Sequence, residues 1–260
     1  RELGIADIKR DEIIVNVLGL NHFTWFDSAS YKGIDLFPVY RSFIEKHFEE
    51  GFEEKDKNWM NSTFSCAHRV KFDLFKKYGW IAAAGDRHLA EFMPPIYLKD
   101  PETVASWKFG LTTVAWRKED LKKRLEKSKK LVSGEEKVEL IPSGEEGILL
   151  IKALCGLTRM ISNVNIPNLP ASAVVETNAV FSRDSIAPIF AGNLTEDIRQ
   201  LMLPHVMNHE DVLKAAFTCD YDIMLRAFRR DPLVTCSKDD ADKLLIANTK
   251  KYLPDGWNSK

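Results

Sequence analysis

A polar pair, Asn21 and His22, stands between an apolar run and three aromatic residues in the segment VNVLGLNHFTWF. The β-branched residues that lead into this segment predict a buried strand. An Asn-His pair at the end of such a strand, beside Phe23, Trp25 and Phe26, can place a metal or sugar ligand in a dry cleft. The alternative is a turn in which the asparagine caps a helix and the histidine is a hydrogen-bonded core residue, because one neutral imidazole is a weak signal.

A second group of polar residues stands in WIAAAGDRHLAEFMPP, where Asp86, Arg87 and His88 are consecutive and Glu91 follows. Their neighbours are Ala, Phe and Met, which is not typical of a solvated run of charges. In a cleft these side chains could supply a proton acceptor, a guanidinium that binds a carboxylate, and a metal or hydroxyl partner. The alternative is a salt-bridged helix start with His88 and Glu91 one turn apart.

Composition and charge narrow the class of protein. The chain has 260 residues, 45% of them hydrophobic and 29% charged, as in an ordinary globular protein with a substantial core. Its formal net charge of -1 gives no global electrostatic reason to bind nucleic acid or an anionic membrane. No apolar run is long enough to span a membrane, and no secretory pattern begins the sequence.

The four cysteines, at positions 66, 155, 219 and 236, lie far apart and form no C-x-x-C pair. Neither zinc-ribbon chemistry nor a disulfide framework is therefore expected. Reduced thiols and a cytoplasmic location are the expectation.

The pattern along the chain predicts a helix-rich α+β fold with a few strands and no clear domain boundary. Predicted helices lie in FPVYRSFIEKHF, in STFSCAHRVKFDLFKKYG with a stop at Gly79, in the charged run 116–138, and from Ser143 through an apolar face that reaches Met160. Two strand-like runs surround a polar turn at 182–185, two or three helices follow with a break near Pro204, and a last helix covers 237–253.

The motifs GLNHFTWF, AAGDRHLAEFMP, SGEEG and NLPASAVVETNAVF, in this order, resemble the C-terminal part of glycoside hydrolase family 4. The resemblance runs from about 11 to 253 and is strongest to the α-galacturonidase and α-galactosidase subgroup. It implies a single substrate- and metal-binding domain over 1–260, with a lactate-dehydrogenase-like catalytic fold. The family's N-terminal Rossmann domain, with its Gly-rich turn, is absent from this chain.

The resemblance also implies a reaction that needs NAD and Mn2+ or another divalent metal. In this family the usual carboxylate pair is replaced by an NAD-dependent sequence. Hydride leaves sugar C3, a base takes the C2 proton, the C1 group is eliminated, water adds and the hydride returns. The metal polarises the C2 and C3 oxygens.

Site residues follow from the same resemblance. His22 matches the family's metal-binding histidine, and Asn21 is expected near the sugar hydroxyls. Relatives often keep a tyrosine as the C2 base, but GDRHLAEF contains none, so Asp86 and then His88 are the candidate bases.

Arg87 is the candidate partner of a uronate carboxylate, because a guanidinium binds that group bidentately, and Glu91 is a candidate substrate contact. No cysteine stands in the family's metal-binding Cys-Asn-Pro setting, so none is assigned to the metal. The stretch NVNIPNL is shorter than the corresponding loop of relatives.

Three functions remain open. The first is the sugar- and metal-binding part of a family 4 glycosidase, which needs a nucleotide-binding domain in the same or another chain and forms a homo-oligomer. The second is a lactate- or malate-dehydrogenase-like oxidoreductase domain. The third is a stand-alone oligomerisation module.

Overall fold

The computed structural model describes residues 12–52, 65–139, 146–163 and 168–249, together with 3–5 and 8. Its strands are β1 (Ile13–Leu20), β2 (Phe23–Tyr31), β3 (Ile34–Asp35), β4 (Ile81–Ala82), β5 (Met160–Asn163), β6 (Glu176–Ser182) and β7 (Ser185–Pro188). Its helices are α1 (Phe37–His47), α2 (Arg69–Tyr78), α3 (Asp86–Phe92), α4 (Pro101–Ser106), α5 (Val114–Ser133), α6 (Gly147–Leu154), α7 (Glu196–Thr218), α8 (Tyr221–Arg230) and α9 (Lys238–Thr249). This is the helix-rich α+β architecture that the sequence predicts.

The described strands form one antiparallel sheet in the order β3-β2-β1-β6-β5, with β4 added to β2 and β7 added to β6. The β1–β2 hairpin is its centre. Leu20 pairs with Phe23, so Asn21 and His22 alone form the connecting turn. The predicted strand end at the Asn-His pair is confirmed.

The main core packs three helices around the tip of this hairpin. Leu18, Leu20, Phe23 and Trp25 are almost completely buried. Apolar residues of α2, α3 and α7 complete the same cluster, among them Val70, Leu74, Leu89, Ile198 and Met202. Because both strands are buried at the tip, the turn is anchored to the main core of the domain.

Several predicted elements are confirmed. The segment at 37–48 forms α1, the charged run forms α5, and two strands surround the turn at 182–185. Gly79 ends α2 in the left-handed conformation, with φ of 72° and its N–H bonded to the Phe75 carbonyl. Helix α9 matches the described part of the last predicted helix. Ser143 and Phe64 lie outside the described residues.

The helix predicted from Ser143 to Met160 is too long. Helix α6 ends at Leu154, and Met160 already lies in β5. The chain turns at Gly156, whose φ of 74° suits glycine, and β5 then pairs with β6. Strand pairing, which helical periodicity does not reveal, decides this segment.

The predicted break near Pro204 is wrong, because α7 continues from Glu196 to Thr218 with this proline inside it. Proline removes one helical hydrogen bond, which usually favours a kink or an end. Here Met202, His205 and Val206 are buried around it. Tertiary packing therefore offsets the local cost. Within the described residues, no helix has the length and apolar character needed to cross a membrane.

Candidate metal and sugar site

The turn between β1 and β2 holds His22 in an unusual backbone conformation. Its φ is 65°, in the left-handed region that few residues other than glycine occupy. The turn also depends on Gly19, whose φ is +149°. A Cβ at Gly19 would lie 2.4 Å from the Phe23 carbonyl oxygen and 2.7 Å from the Thr24 Cα. Because Gly19 has no side chain, β2 can pass close to β1 at this position. This close approach fixes the direction of the Asn-His turn.

Phe23 and Trp25, the aromatic residues that follow the turn, anchor it to the core through ring contacts. Phe23 stacks on Phe92 with ring centroids 4.8 Å apart, and Trp25 meets Tyr78 edge-on at 5.7 Å. Phe23 and Trp25 are fully buried, whereas Asn21 and His22 are exposed.

The dry cleft at the Asn-His pair stays a prediction, because both residues are exposed in the described part of this chain. The aromatic side chains enter the core instead of forming cleft walls. The alternative for this pair is confirmed in that the pair forms a turn, but it is wrong in its other parts, because the turn joins two strands and His22 is exposed.

His22 lies against His88 of α3. Their ring centroids are 4.2 Å apart, with an angle of 35° between the planes. His88 Nδ1 is 3.4 Å from Glu91 Oε2, one helical turn further along. The structure thus brings His22 of the first motif next to His88 of the second, and His88 in turn contacts Glu91.

Asp86 lies elsewhere, although it is only two residues from His88. Two residues correspond to about 200° around a helix, so the two side chains leave α3 in nearly opposite directions. Asp86 has no exposed surface, and its Oδ1 accepts a hydrogen bond from the Lys71 backbone N–H at 3.0 Å. Its carboxylate lies at the N-terminus of α2, where free N–H groups favour an anion.

Burial shifts the pKa values of Asp86 and His88 in the directions that disfavour their charged forms. It raises the pKa of Asp86 to about 6, against the lowering effect of the Lys71 N–H and ammonium. It lowers the pKa of His88, and the His22 ring lowers it further, while Glu91 raises it. His88 is therefore a neutral imidazole near pH 7.

Two further residues face Asp86, and the sequence did not single them out for metal binding. They are Cys66 and His68, whose Sγ and Nδ1 atoms are 3.7 Å apart. Each of the three side chains places a donor atom within 4.8 Å of the other two. The C-x-H spacing before α2 was the available signal. All four cysteines of the chain are free in the structure.

Arg87 and Asn21 complete the predicted set. Arg87 follows Asp86 on the first turn of α3 and is half-buried, and Asn21 is exposed beside His22. The arrangement therefore has two parts on α3. His22, His88 and Glu91, with Asn21 next to them, form one part. Asp86, Cys66 and His68 form the other, behind the helix.

Comparison with known proteins identifies the family. Residues 17–234 match the Family 4 glycosyl hydrolase C-terminal domain. The chain is 62% identical over 271 residues to an alpha-galacturonidase of Lachnoclostridium phytofermentans, a match that covers 99% of this chain and 58% of that protein.

Solved structures show the same fold. A Bacillus subtilis protein with a provisional glucosidase name has a TM-score of 0.85 and 45% identity, over 94% of this chain and 57% of that chain. A 6-phospho-alpha-glucosidase from gut microorganisms, solved in complex with NAD and Mn2+, has a TM-score of 0.68 and 19% identity, over 94% of this chain and 55% of that chain. The chain thus spans little more than half the length of the relatives it matches. It belongs to glycosyl hydrolase family 4 and corresponds to the C-terminal domain of those enzymes.

Proposed function

We propose that the full-length protein hydrolyses α-galacturonides with NAD and a divalent metal, Mn2+ in the first instance, and that this chain supplies the metal- and sugar-binding side. The observation that supports this most is the contact between His22 and His88 at the tip of the central hairpin. The 62% identity to an alpha-galacturonidase supports the substrate class.

The donor set suits such a metal. Mn2+ accepts imidazole together with carboxylate and water ligands, and this chain offers it the exposed imidazole of His22. His22 is the proposed ligand, because it is exposed on a turn that the core holds in place. When bound, the metal would supply polarisation of sugar oxygens and NAD would supply a hydride acceptor, with His22 as the residue of this chain that would hold the metal.

We rank His88 above Asp86 as the group that takes the C2 proton, because its ring lies beside His22. The Glu91 carboxylate can only accept at Oε2, so His88 Nδ1 carries the proton of that contact. This leaves the lone pair of Nε2 to accept a proton from the sugar. Asp86 lies buried against the N-terminus of α2, so its proposed role is to position α3.

Arg87 and Asn21 are the proposed sugar contacts. Arg87 precedes His88 in the sequence, and its guanidinium can bind a uronate carboxylate through two parallel hydrogen bonds. A neutral galactoside has no carboxylate for this pairing. Asn21 has both a donor and an acceptor for sugar hydroxyls. The nucleotide-binding domain of the full-length protein is the proposed source of the NAD site, and further copies of the chain are expected in a homo-oligomer.

The test is release of sugar from an α-galacturonide by the full-length protein, with NAD and Mn2+ present. We expect His22→Ala to lower the rate at least about 100-fold and to abolish its metal dependence. We expect Arg87→Gln to lower kcat/KM for the uronide about tenfold or more, with a smaller effect on a neutral α-galactoside. Lys46→Gln, a surface change on α1, is the matched control.

Two results would reject the proposal. One is hydrolysis that proceeds unchanged without NAD and metal. The other is net accumulation of NADH from a 2-hydroxyacid, which would support the dehydrogenase-like alternative. The glycosidase reaction returns its hydride, so its NADH does not accumulate.

A further inference from the structure

We propose that Cys66, His68 and Asp86 form a second metal site, which binds a divalent transition-metal cation of the Zn2+ type through one sulfur, one nitrogen and one oxygen atom. The site is separate from the proposed catalytic metal at His22. Asp86 and His88 point in nearly opposite directions from α3, so the helix lies between the two sites.

The donor distances fit a tetrahedral cation. Zn2+ binds thiolate sulfur at about 2.3 Å and imidazole nitrogen at about 2.0–2.1 Å, which places sulfur and nitrogen about 3.6 Å apart at a tetrahedral angle. The distance between Cys66 Sγ and His68 Nδ1 is 3.7 Å. A carboxylate oxygen of Asp86 lies within 4.8 Å of Cys66 Sγ and of one ring nitrogen of His68. Three protein donors leave the fourth position for water.

An unpartnered buried oxygen gives independent support. Asp86 has no exposed surface, and its Oδ2 has no hydrogen-bond partner among the described residues, whereas its Oδ1 accepts from Lys71 N–H. A buried carboxylate oxygen left without a partner is costly, and coordination to a cation would remove that cost. A water molecule at this position is the competing explanation.

The charges around the site partly favour and partly oppose a bound cation. Burial, and then Asp86, raise the pKa of the Cys66 thiol, whereas burial lowers the pKa of His68 to about 4. Binding would release the thiol proton to solvent, with no electron transferred, and would give one thiolate, one carboxylate and one neutral imidazole. These two anions offset the divalent charge. The Lys71 ammonium, which donates to the Ala83 carbonyl at 3.1 Å, opposes binding and sets a limit on affinity.

The position of the site indicates its effect. Cys66 pairs with Phe109 in an isolated bridge, His68 immediately precedes α2, and Asp86 begins α3. A cation bound to all three would hold the starts of both helices together. It would thereby fix the start of the helix that carries His88.

The experiment measures metal binding by the full-length protein, after treatment with a chelator, with Zn2+ and Co2+ as separate probes. Wild-type protein is expected to bind one more equivalent than Cys66→Ser or His68→Gln, and the thiolate-to-cobalt absorption is expected to fall in Cys66→Ser. The affinity at this site should fall at least about 100-fold in each variant. The control Cys236→Ser changes an exposed cysteine and should bind like wild type.

His22→Ala separates this inference from the proposed function, because it should remove the other equivalent and leave the Cys66 absorption. Unchanged stoichiometry in both Cys66→Ser and His68→Gln would overturn the proposal. Alkylation of wild-type protein needs no variant to fold. Zn2+ should slow modification of Cys66 at least about tenfold but leave Cys236 unchanged, and equal rates with and without Zn2+ would equally overturn it.

Discussion

The carboxylate of Asp86 accepts a hydrogen bond from the Lys71 backbone N–H at 3.0 Å, although α3 and α2 are separate helices. Asp86 therefore caps the N-terminus of α2, although it belongs to the neighbouring helix α3. The N-cap residue of α2 itself, His68, makes no side-chain capping bond. This contact joins the two helices directly behind the proposed metal and sugar site.

Removal of the Asp86 acceptor should destabilise the domain. Asp86→Ala leaves the Lys71 N–H without its partner, and we expect the free energy of unfolding to fall by about 1–2 kcal/mol. Asp86→Asn keeps an acceptor oxygen and removes a buried charge, so it should cost less. Urea unfolding with a chelator present measures both. Equal losses in the two variants would contradict the capping role.

The turn geometry predicts that Gly19 tolerates no side chain. Gly19→Ala would place its Cβ 2.4 Å from the Phe23 carbonyl, and we expect about 2–4 kcal/mol of destabilisation. Gly33→Ala is the matched control: its φ is +82°, but no atom of the described residues lies within 4 Å of the new Cβ. Its expected cost is the backbone strain alone, about 1–2 kcal/mol. Thermal unfolding of both variants gives the comparison.

His205 should make stability depend on pH. Its Nε2 is 2.9 Å from the Phe92 carbonyl, which can only accept, so the neutral ring donates from Nε2. Burial lowers the pKa of His205 from its usual 6.5. The unfolded chain then binds more protons just below pH 6.5, so the free energy of unfolding should fall as the pH falls through this region and level off below the folded pKa.

The variant His205→Gln should show a flatter profile between pH 7 and 5, measured by urea unfolding at several pH values. Gln can still donate to the carbonyl but does not titrate. Met207→Gln introduces the same residue at an exposed position of the same helix and should retain the wild-type slope. A profile for His205→Gln that matches wild type would rule out this histidine as the cause.

Asp211 joins α7 to α8 through two arginines. Its carboxylate binds Arg226 Nη2 at 2.5 Å and Arg230 Nη2 at 2.8 Å. The Arg226 contact, with help from Arg230, lowers the pKa of Asp211 to about 2. The stabilisation should therefore be complete above pH 4 and should be lost as the pH falls from about 4 to about 2.

We expect Asp211→Asn to lower Tm by about 2–4 °C at pH 7, a modest change because Arg226 is largely exposed to solvent. Calorimetry at pH 7 and pH 3 should show that the difference from wild type shrinks in acid. Glu126→Gln is the control, since its pair with Lys130 lies at 3.8 Å on the surface of one helix. A constant difference at both pH values would contradict the ion-pair explanation.

Patterns among residues close in sequence predicted much of the secondary structure. Apolar periodicity and turn residues predicted α1, α5, the Gly79 stop and the strand end at Asn21, because these depend on residues close in sequence. The motifs also predicted the family. The sequence further pointed to His22 and His88, the two side chains that meet at the site.

Long-range contacts decided what local patterns could not. The segment after Leu154 leaves its helix because β5 pairs with β6, and α7 passes through Pro204 because its buried neighbours hold it. Spacing in the sequence likewise did not predict that Cys66 and His68 lie next to Asp86. That cluster depends on how α2 packs against α3 and on which side of α3 each residue faces. The sequence by itself determined which reactive groups this domain carries. Only the tertiary structure decided which of them are neighbours, because packing against a shared core sets the direction of each side chain.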